Sequence, residues 1–301
     1  MKKLSLNDLR PGDVVLFSPE KNSFISWAIT FLTDAPVSHA SLVYQAQPLT
    51  IIEETPPQVA VNPAEKRFHN RTVSVLRHKT GKSLAPVINA AEKHLNHLQP
   101  YDDTGLYMVG AILLYKKLSL SSRRQKIIIR ILKKLTATIM HHIQQHKTPG
   151  KLPMVCSQFV AQCFDDAGDD YRLQFRRPVL DYFAAGSLLD QAEAWFAQQD
   201  RTPCNTPLTT VAEAASGEEL CRELKLALEE ESVQENADME AELAVAIRDF
   251  ARVHRDLAEE ESVSVDGNDM QLLRDNINMF VAPGDFLLHC TSLTQIGTIS
   301  I

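Results

Sequence analysis

A cysteine stands at the start of a stretch whose pattern predicts a helix. Pro153 favours an extended or turn geometry in its neighbours, and apolar residues recur at helical spacing after it. They are Val155, Phe159, Val160, Cys163 and Phe164. Cys156 therefore falls in the first turn, where unsatisfied backbone N–H groups and the positive end of the helix dipole favour a thiolate. This environment is typical of a nucleophilic cysteine, and the alternative is a small, buried apolar side chain.

Two further polar residues could complete a catalytic site with that thiol. His39 lies in an alternating stretch that predicts a strand, and Glu53 ends the next predicted strand, roughly opposite His39 if the two form a hairpin. A carboxylate there could hold the tautomer and orientation of the imidazole, which completes a set of nucleophile, base and orienting residue. Glu54 competes for the third role, because adjacent residues of a strand face opposite sides. The alternative for His39 is an ordinary core or edge residue.

A strand-rich first third of the chain would position the histidine and the glutamate. Runs of β-forming residues between turn residues predict a largely antiparallel sheet with short connections. A second Pro-Gly-Asp turn at residues 283–285 precedes a short apolar run, which predicts a late strand that pairs back into this sheet. We expect strands within residues 11–17, 36–44, 49–55, 59–61 and 72–76, and helices at residues 23–33 and 85–98.

The remainder of the chain is predicted to be helical, with an uneven distribution of charge. Residues 105–147 are basic, and their amphipathic part, residues 116–135, could contact an anionic membrane surface or an acidic partner. We favour a core-facing helix that packs on the acidic part of the same chain. That part, residues 213–275, predicts two or three helices and follows a proline-containing linker at residues 200–212. The basic residues are Lys116, Lys117, Arg123, Arg124, Lys126, Arg130, Lys133 and Lys134.

The composition excludes several classes of protein. The chain of 301 residues is 44% hydrophobic and 23% charged, as expected of a folded globular protein, and its net charge of -7 argues against general nucleic-acid binding. Five scattered cysteines without a Cys-x-x-Cys pair indicate neither a disulfide framework nor a zinc knuckle, and they fit a reducing compartment. We predict no secretory signal and no membrane-spanning segment. We therefore expect a cytoplasmic protein, with signal-independent secretion as the alternative.

The order of the motifs resembles that of the YiiX-like proteins, circularly permuted relatives of the NlpC-type papain-fold cysteine peptidases and amidases. The resemblance covers residues 9–62, 98–104, 153–166 and 281–299 and leaves the basic and acidic helical segments without a counterpart. The motifs are Pro11-Gly12-Asp13 before a strand, Ser38-His39, Ile51-Ile52-Glu53, Tyr101-Asp102, Cys156-Ser157-Gln158-Phe159-Val160 and Pro283-Gly284-Asp285-Phe286.

The resemblance implies a fold and an arrangement of domains. The fold is α+β, a papain-like small antiparallel sheet or half-barrel packed on the nucleophile helix, with helical insertions. Residues 1–199 would form the catalytic domain, with the basic insertion at about 105–147. Residues 200–275 would form an acidic helical subdomain, and residues 276–301 a strand segment that returns to the catalytic domain.

The resemblance also implies acyl transfer, with Cys156 as nucleophile, His39 as base and Glu53 as orienting residue. Water would release the acyl group in a hydrolase that acts on an amide, a peptide or a lipid ester, and an amine or hydroxyl would do so in an acyltransferase. The Cys156 backbone N–H would be one oxyanion donor. A non-catalytic interaction module is the third alternative. No cofactor or metal is expected, and His141, His142 and His146 lack a carboxylate or thiol partner, so we interpret them as surface residues.

Overall fold

The computed structural model describes residues 2–21, 23–55, 58–96, 122–145, 155–176, 188–198, 222, 225–226, 241–259 and 277–301. Within them the chain is α+β. The strands are β1 (Val14–Phe17), β2 (His39–Ala46), β3 (Leu49–Thr55), β4 (Gln58–Pro63), β5 (Thr72–His78) and β6 (Leu293–Ser300). The α-helices are α1 (Phe24–Thr33), α2 (Ala64–Phe68), α3 (Ala85–Asn96), α4 (Ser122–Gln145), α5 (Cys156–Asp166), α6 (Leu188–Gln198), α7 (Ala241–Glu259) and α8 (Pro283–Leu288).

The six strands form one antiparallel sheet in the order β4-β3-β2-β1-β5-β6. β2 and β3 form a hairpin around the two-residue turn Gln47-Pro48. β1 lies in the middle of the sheet, and all four of its residues are buried, as expected for a strand that is covered on both faces. The strands predicted in the first third of the chain are therefore confirmed, with bounds that shift by a few residues.

The two faces of the sheet are covered by different elements. One face carries an apolar cluster that includes Val15, Phe17, Val43 and Ile51, and Phe68 of α2 packs into it. The helix that begins at Cys156, α5, packs on β2, β3 and α3. Eight of its eleven residues are buried. The expected packing of the sheet on the helix that begins at Cys156 is thus present.

The end of the chain returns to the sheet, but not in the segment that the sequence predicted. β6 pairs with β5 along its length, from Thr72↔Ser300 to His78↔Leu293. Residues 283–288, predicted as a strand, instead form helix α8. Pro283 takes the first helical position, where its fixed φ and missing N–H are compatible with a helix. The Asp285 carboxylate accepts a hydrogen bond from the Ala282 N–H at 2.8 Å, which caps the helix start.

The residues group into two compact units. The first comprises residues 1–105, 153–180 and 281–301, and the second residues 106–152 and 181–280. These bounds differ from the predicted domains 1–199, 200–275 and 276–301, because α4 packs on α7, and α7 on α6. The basic segment and part of the acidic segment therefore share a unit. The motif Tyr101-Asp102, the linker 200–212 and most of the acidic segment lie outside the described residues.

Within the second unit, the apolar face of the basic helix α4 is buried. Lys133 on its polar side forms an ion pair with Glu242 of α7. This arrangement favours the interpretation of a core-facing helix that packs on the acidic part of the chain. Of the helices that the structure describes, none has the length and apolar character needed to cross a bilayer. The buried residues of α4 include Ile127, Ile128, Ile131, Leu132 and Leu135.

A glycine turn fixes the register of β1 against β2. Gly12 has φ +86° and donates its N–H to the Val43 carbonyl at 2.8 Å. A Cβ atom at Gly12 would lie 2.6 Å from the Leu84 Cβ. Gly81 also has a positive φ, +60°, but a Cβ atom there would meet nothing within 4 Å.

We therefore expect Gly12→Ala to destabilise the protein much more than Gly81→Ala. Both substitutions place an L side chain in the left-handed region, which costs about 1–2 kcal/mol, and only the first adds a clash, which costs about 1–3 kcal/mol more. Urea unfolding of the two variants measures the difference in the free energy of unfolding. Equal losses would mean that the contact with Leu84 does not constrain the turn.

Candidate active site

His39 and Glu53 meet on the face of the sheet opposite to Glu54. β2 and β3 pair with Leu42 opposite Ile52. Continuing this register places Glu53 opposite Ser41, one diagonal step from His39. The two side chains bridge that step, and His39 Nε2 lies 2.6 Å from Glu53 Oε2. The contact predicted between the imidazole and a carboxylate of the next strand is therefore present, and Glu53 is the glutamate that makes it.

The Glu53 carboxylate is fully buried, and it has partners at both oxygens. Arg67, which is in α2, lies with its Nε 2.7 Å from Oε1, and its Nη2 donates to Oε2 at 3.1 Å. Asn62 of β4 donates its Nδ2 to Oε1 at 2.9 Å. Burial alone would raise the pKa of Glu53, but the hydrogen bonds and positive charges of His39 and Arg67 lower it to about 2. Glu53 is therefore a stable buried anion.

Cys156 is the first residue of α5, as the sequence predicted. The helix start is capped by Gln158, whose Oε1 accepts a hydrogen bond from the Val155 N–H at 3.0 Å. Hydrogen bonding by the His39 side chain and by the backbone N–H groups of Ala40 and Ser157 lowers the pKa of the Cys156 thiol. Because Glu53 occupies Nε2 of the ring, Nδ1 is the nitrogen left to face the sulfur.

The charges of the two groups stabilise each other. Burial alone would raise the pKa of the Cys156 thiol, but the His39 charge and the three hydrogen bonds bring it below its ordinary value. Burial alone would lower the pKa of His39, but the attraction of Cys156 and Glu53 raises it to about 10. Both shifts favour a thiolate–imidazolium pair over a neutral thiol and imidazole.

The imidazole of His39 also packs on an aromatic ring, which in turn contacts a second ring and a guanidinium. The Phe17 ring lies 5.3 Å from the His39 ring, measured between centroids, and 5.6 Å from the Phe68 ring. The guanidinium of Arg71 sits over Phe17 at 5.5 Å. His39 retains 19% side-chain exposure, and Cys156 is 8% exposed, so the site is largely closed but still touches the surface.

The sequence did not indicate Arg67 or Asn62 as part of this site. A signal for Asn62 was available, because its strand pairs with β3 and Ile51 faces Asn62, one diagonal step from Glu53. Arg67 follows in a short helix whose direction no strand pattern predicts. Among the described residues, no group of three or more His, Cys, Asp and Glu side chains could hold a metal ion. The side chains of His141, His142 and His146 lie outside the described part.

The chain matches no family model, and it matches no curated protein.

Replacing Glu53 should destabilise the protein at neutral pH and less so in acid. The pKa of Glu53 is lowered in the folded state from 4.5 to about 2, so its stabilisation is present above pH 4.5 and is lost as pH falls towards 2. We expect Glu53→Gln to lower the free energy of unfolding by about 3 kcal/mol at pH 7, with a smaller loss at pH 3. Urea unfolding at both pH values measures this, and a loss that does not depend on pH would contradict it.

Replacing the neighbouring Glu54 should have the opposite effect. Burial, and then the charge of Cys156, raise the pKa of Glu54 from 4.5 to about 9. Between pH 4.5 and 9 the unfolded chain has Glu54 ionised, whereas the folded protein keeps it protonated. The buried carboxyl therefore costs no stability at or below pH 4.5, and its cost grows as pH rises towards 9. We expect Glu54→Gln to raise the free energy of unfolding by about 3 kcal/mol at pH 7 and to have little effect at pH 4.5. A destabilised Glu54→Gln variant at pH 7 would show that the carboxyl has a partner as strong as those of Glu53.

Proposed function

We propose that this chain is a cysteine hydrolase that forms a thioacyl-enzyme on Cys156 and acts on an amide, a peptide or a lipid ester. The observation that carries the proposal is the chain of contacts from the thiol at a helix start to His39 and on to a buried carboxylate. This is the arrangement that activates a nucleophile in acyl transfer. The order of the elements, with the histidine strand before the cysteine helix, supports a circularly permuted papain-like fold of the YiiX-like type.

The reaction would follow from the charges of the pair. The Cys156 thiolate attacks the carbonyl carbon, and the backbone N–H of Cys156, which the helix itself does not use, donates to the oxyanion. His39, held protonated by Glu53, gives its proton to the leaving group as the thioester forms. The neutral imidazole then accepts a proton from water, which attacks the thioester and releases the acid. Glu53 stays ionised throughout, because Arg67 and Asn62 remain bound to it.

An acyltransferase is the second candidate, and an exposed aromatic pair favours it. Trp27 and Phe31 stack on α1 with their ring centroids 5.3 Å apart, and they are 44% and 54% exposed. α1 ends at Thr33, only a short connection before His39. Such a surface could hold an apolar acyl chain. The same thioester would then be released by an amine or a hydroxyl group instead of water.

A reducing compartment fits this chemistry. The three cysteines that the structure describes, Cys156, Cys163 and Cys290, are free thiols. A catalytic thiol needs to stay reduced, and the cytoplasm provides such conditions.

Selective alkylation tests the nucleophile. Limiting iodoacetamide near neutral pH should add one label to the wild-type chain, and the label should be absent from Cys156→Ala. His39→Ala should slow the reaction by at least about tenfold, which corresponds to one unit in the thiol pKa. Intact-mass spectrometry over time measures the rates.

Cys163→Ala is the matched control, because Cys163 lies on the same helix and is fully buried. Burial is the main cause that raises the pKa of the Cys163 thiol well above the ordinary value, so Cys163 should not react. Replacing Cys163 should therefore leave the labelling unchanged. Slow labelling scattered over several cysteines would contradict the proposal and favour a non-catalytic interaction module. A second measurement tests the thioester itself. An activated ester should acylate Cys156, and hydroxylamine should release that acyl group, whereas it would leave an amide formed by non-specific acylation of amines.

A further inference from the structure

Two consecutive glutamates on β3 are both fully buried, and among the described residues only Glu53 has hydrogen-bond partners. Glu53 faces His39, Asn62 and Arg67 on one side of the sheet. Glu54 faces the other side, because successive strand residues alternate. Both of its carboxyl oxygens are buried, and neither has a hydrogen-bond partner among the described residues. A buried carboxylate without a partner is costly in free energy, so the two glutamates favour different protonation states.

Glu54 lies beneath the helix that carries the nucleophile. It pairs with Val59 across β4, and the register of β2 continues to place Ala40 on its other side. Ala40 is the residue whose N–H binds the Cys156 sulfur. Cys163, two helical turns further along α5, also responds to the charge of Glu54. The carboxyl is therefore enclosed between β3 and the side of α5 that holds both thiols.

No cation among the described residues that pack on this region compensates a charge on Glu54. From α5 the facing titratable groups are Cys156 and Cys163, whose thiolate forms would both be negative. α3 also packs on α5 and β4. Its Glu92 binds the Tyr44 hydroxyl, its His94 pairs with Asp166, and its Lys93 is exposed.

The charges of the site already balance without Glu54. The imidazolium of His39 neutralises the Cys156 thiolate, and the guanidinium of Arg67 neutralises Glu53. An ionised Glu54 would add a net negative charge to a buried region. When the environments of two neighbouring acids separate their pKa values in this way, one acid commonly stays protonated and the other ionised.

We propose that Glu54 is a positioning residue of this site. Its carboxyl remains protonated while Cys156 is a thiolate, so that the two groups together carry one negative charge, on the sulfur. This inference rests on the proposed function, since it requires a Cys156 thiolate. Glu54 acts through Cys156 and touches no substrate. The raised pKa of Glu54, which burial and the charge of Cys156 cause, is in agreement. Because linkage is reciprocal, converting the thiolate into a neutral thioether must make Glu54 more acidic.

Carboxyl NMR of the full chain, labelled with ¹³C in its glutamate side chains, tests the linkage. The Glu54 signal is assigned by its loss in Glu54→Gln. We expect this carboxyl to be protonated at pH 7, and its titration midpoint to shift downwards once iodoacetamide has capped Cys156. Glu92, which lies on α3 and binds Tyr44, provides an internal control that should not shift. A Glu54 that is ionised at pH 7, or a midpoint that capping leaves in place, would overturn the inference.

A double-mutant cycle gives an independent readout that a purely structural role would not move. At pH 8 we expect Glu54→Gln to raise the melting temperature, and to raise it by less when Cys156 is replaced by alanine, since the pKa of Glu54 is then lower and its raised pKa costs less stability. Equal gains in both backgrounds would overturn the coupling. The outcome is separable from that of the proposed function. Selective labelling of Cys156 with equal gains contradicts only the role of Glu54, whereas scattered labelling contradicts the nucleophile itself.

Discussion

The buried negative charge of Glu53 is the constraint on which the arrangement of this site depends. A carboxylate removed from water is destabilising unless charged and hydrogen-bonding groups surround it. Three side chains do so here, and they come from three elements: His39 from β2, Asn62 from β4 and Arg67 from α2. Each contact therefore also fixes the position of the element that provides it. The contact between Nε2 and the Glu53 carboxylate therefore also fixes the orientation of the imidazole.

The second constraint is the meeting of a helix start with the first residue of a strand. Cys156 begins α5 and His39 begins β2, so both functional groups lie at the ends of elements, and most of the residues that follow them directly are buried. The N–H groups of Ala40 and Ser157 converge on the sulfur from the strand and from the helix. A thiolate in this position draws stabilisation from both elements, and the imidazolium completes the neutral pair.

Much of this could be predicted from the sequence, because local patterns determine it. Alternation in residues 36–44 and 49–55 predicted the hairpin, and helical spacing after Pro153 predicted the Cys156 helix. The choice between Glu53 and Glu54 needed the register, which depends on the turn and on the irregularity between Val43 and Gln45. Residues 283–288 were predicted wrongly, because their apolar run fits a strand, whereas the cap at Asp285 makes them a helix.

The long-range contacts were beyond local patterns. Arg67 reaches Glu53 from a five-residue helix, and nothing in its neighbours distinguishes it from a surface arginine. The domain bounds depend on which faces of α4 and α7 meet, and amphipathic spacing reports that a face is apolar without naming its partner. That Glu54 has no hydrogen-bond partner in the described part of the chain likewise depends on how α5 packs on β3, which no local pattern predicts.

The most direct test of the account is ¹⁵N NMR of the His39 ring across neutral and mildly alkaline pH. The account predicts an imidazolium with both nitrogens protonated at pH 8, because Cys156 and Glu53 raise the pKa of His39 to about 10. In Cys156→Ala the ring should lose its proton at a lower pH than in the wild type. A neutral His39 ring at pH 8 in the wild type, titrating near the ordinary histidine value, would contradict the thiolate–imidazolium pair and with it the proposed nucleophile.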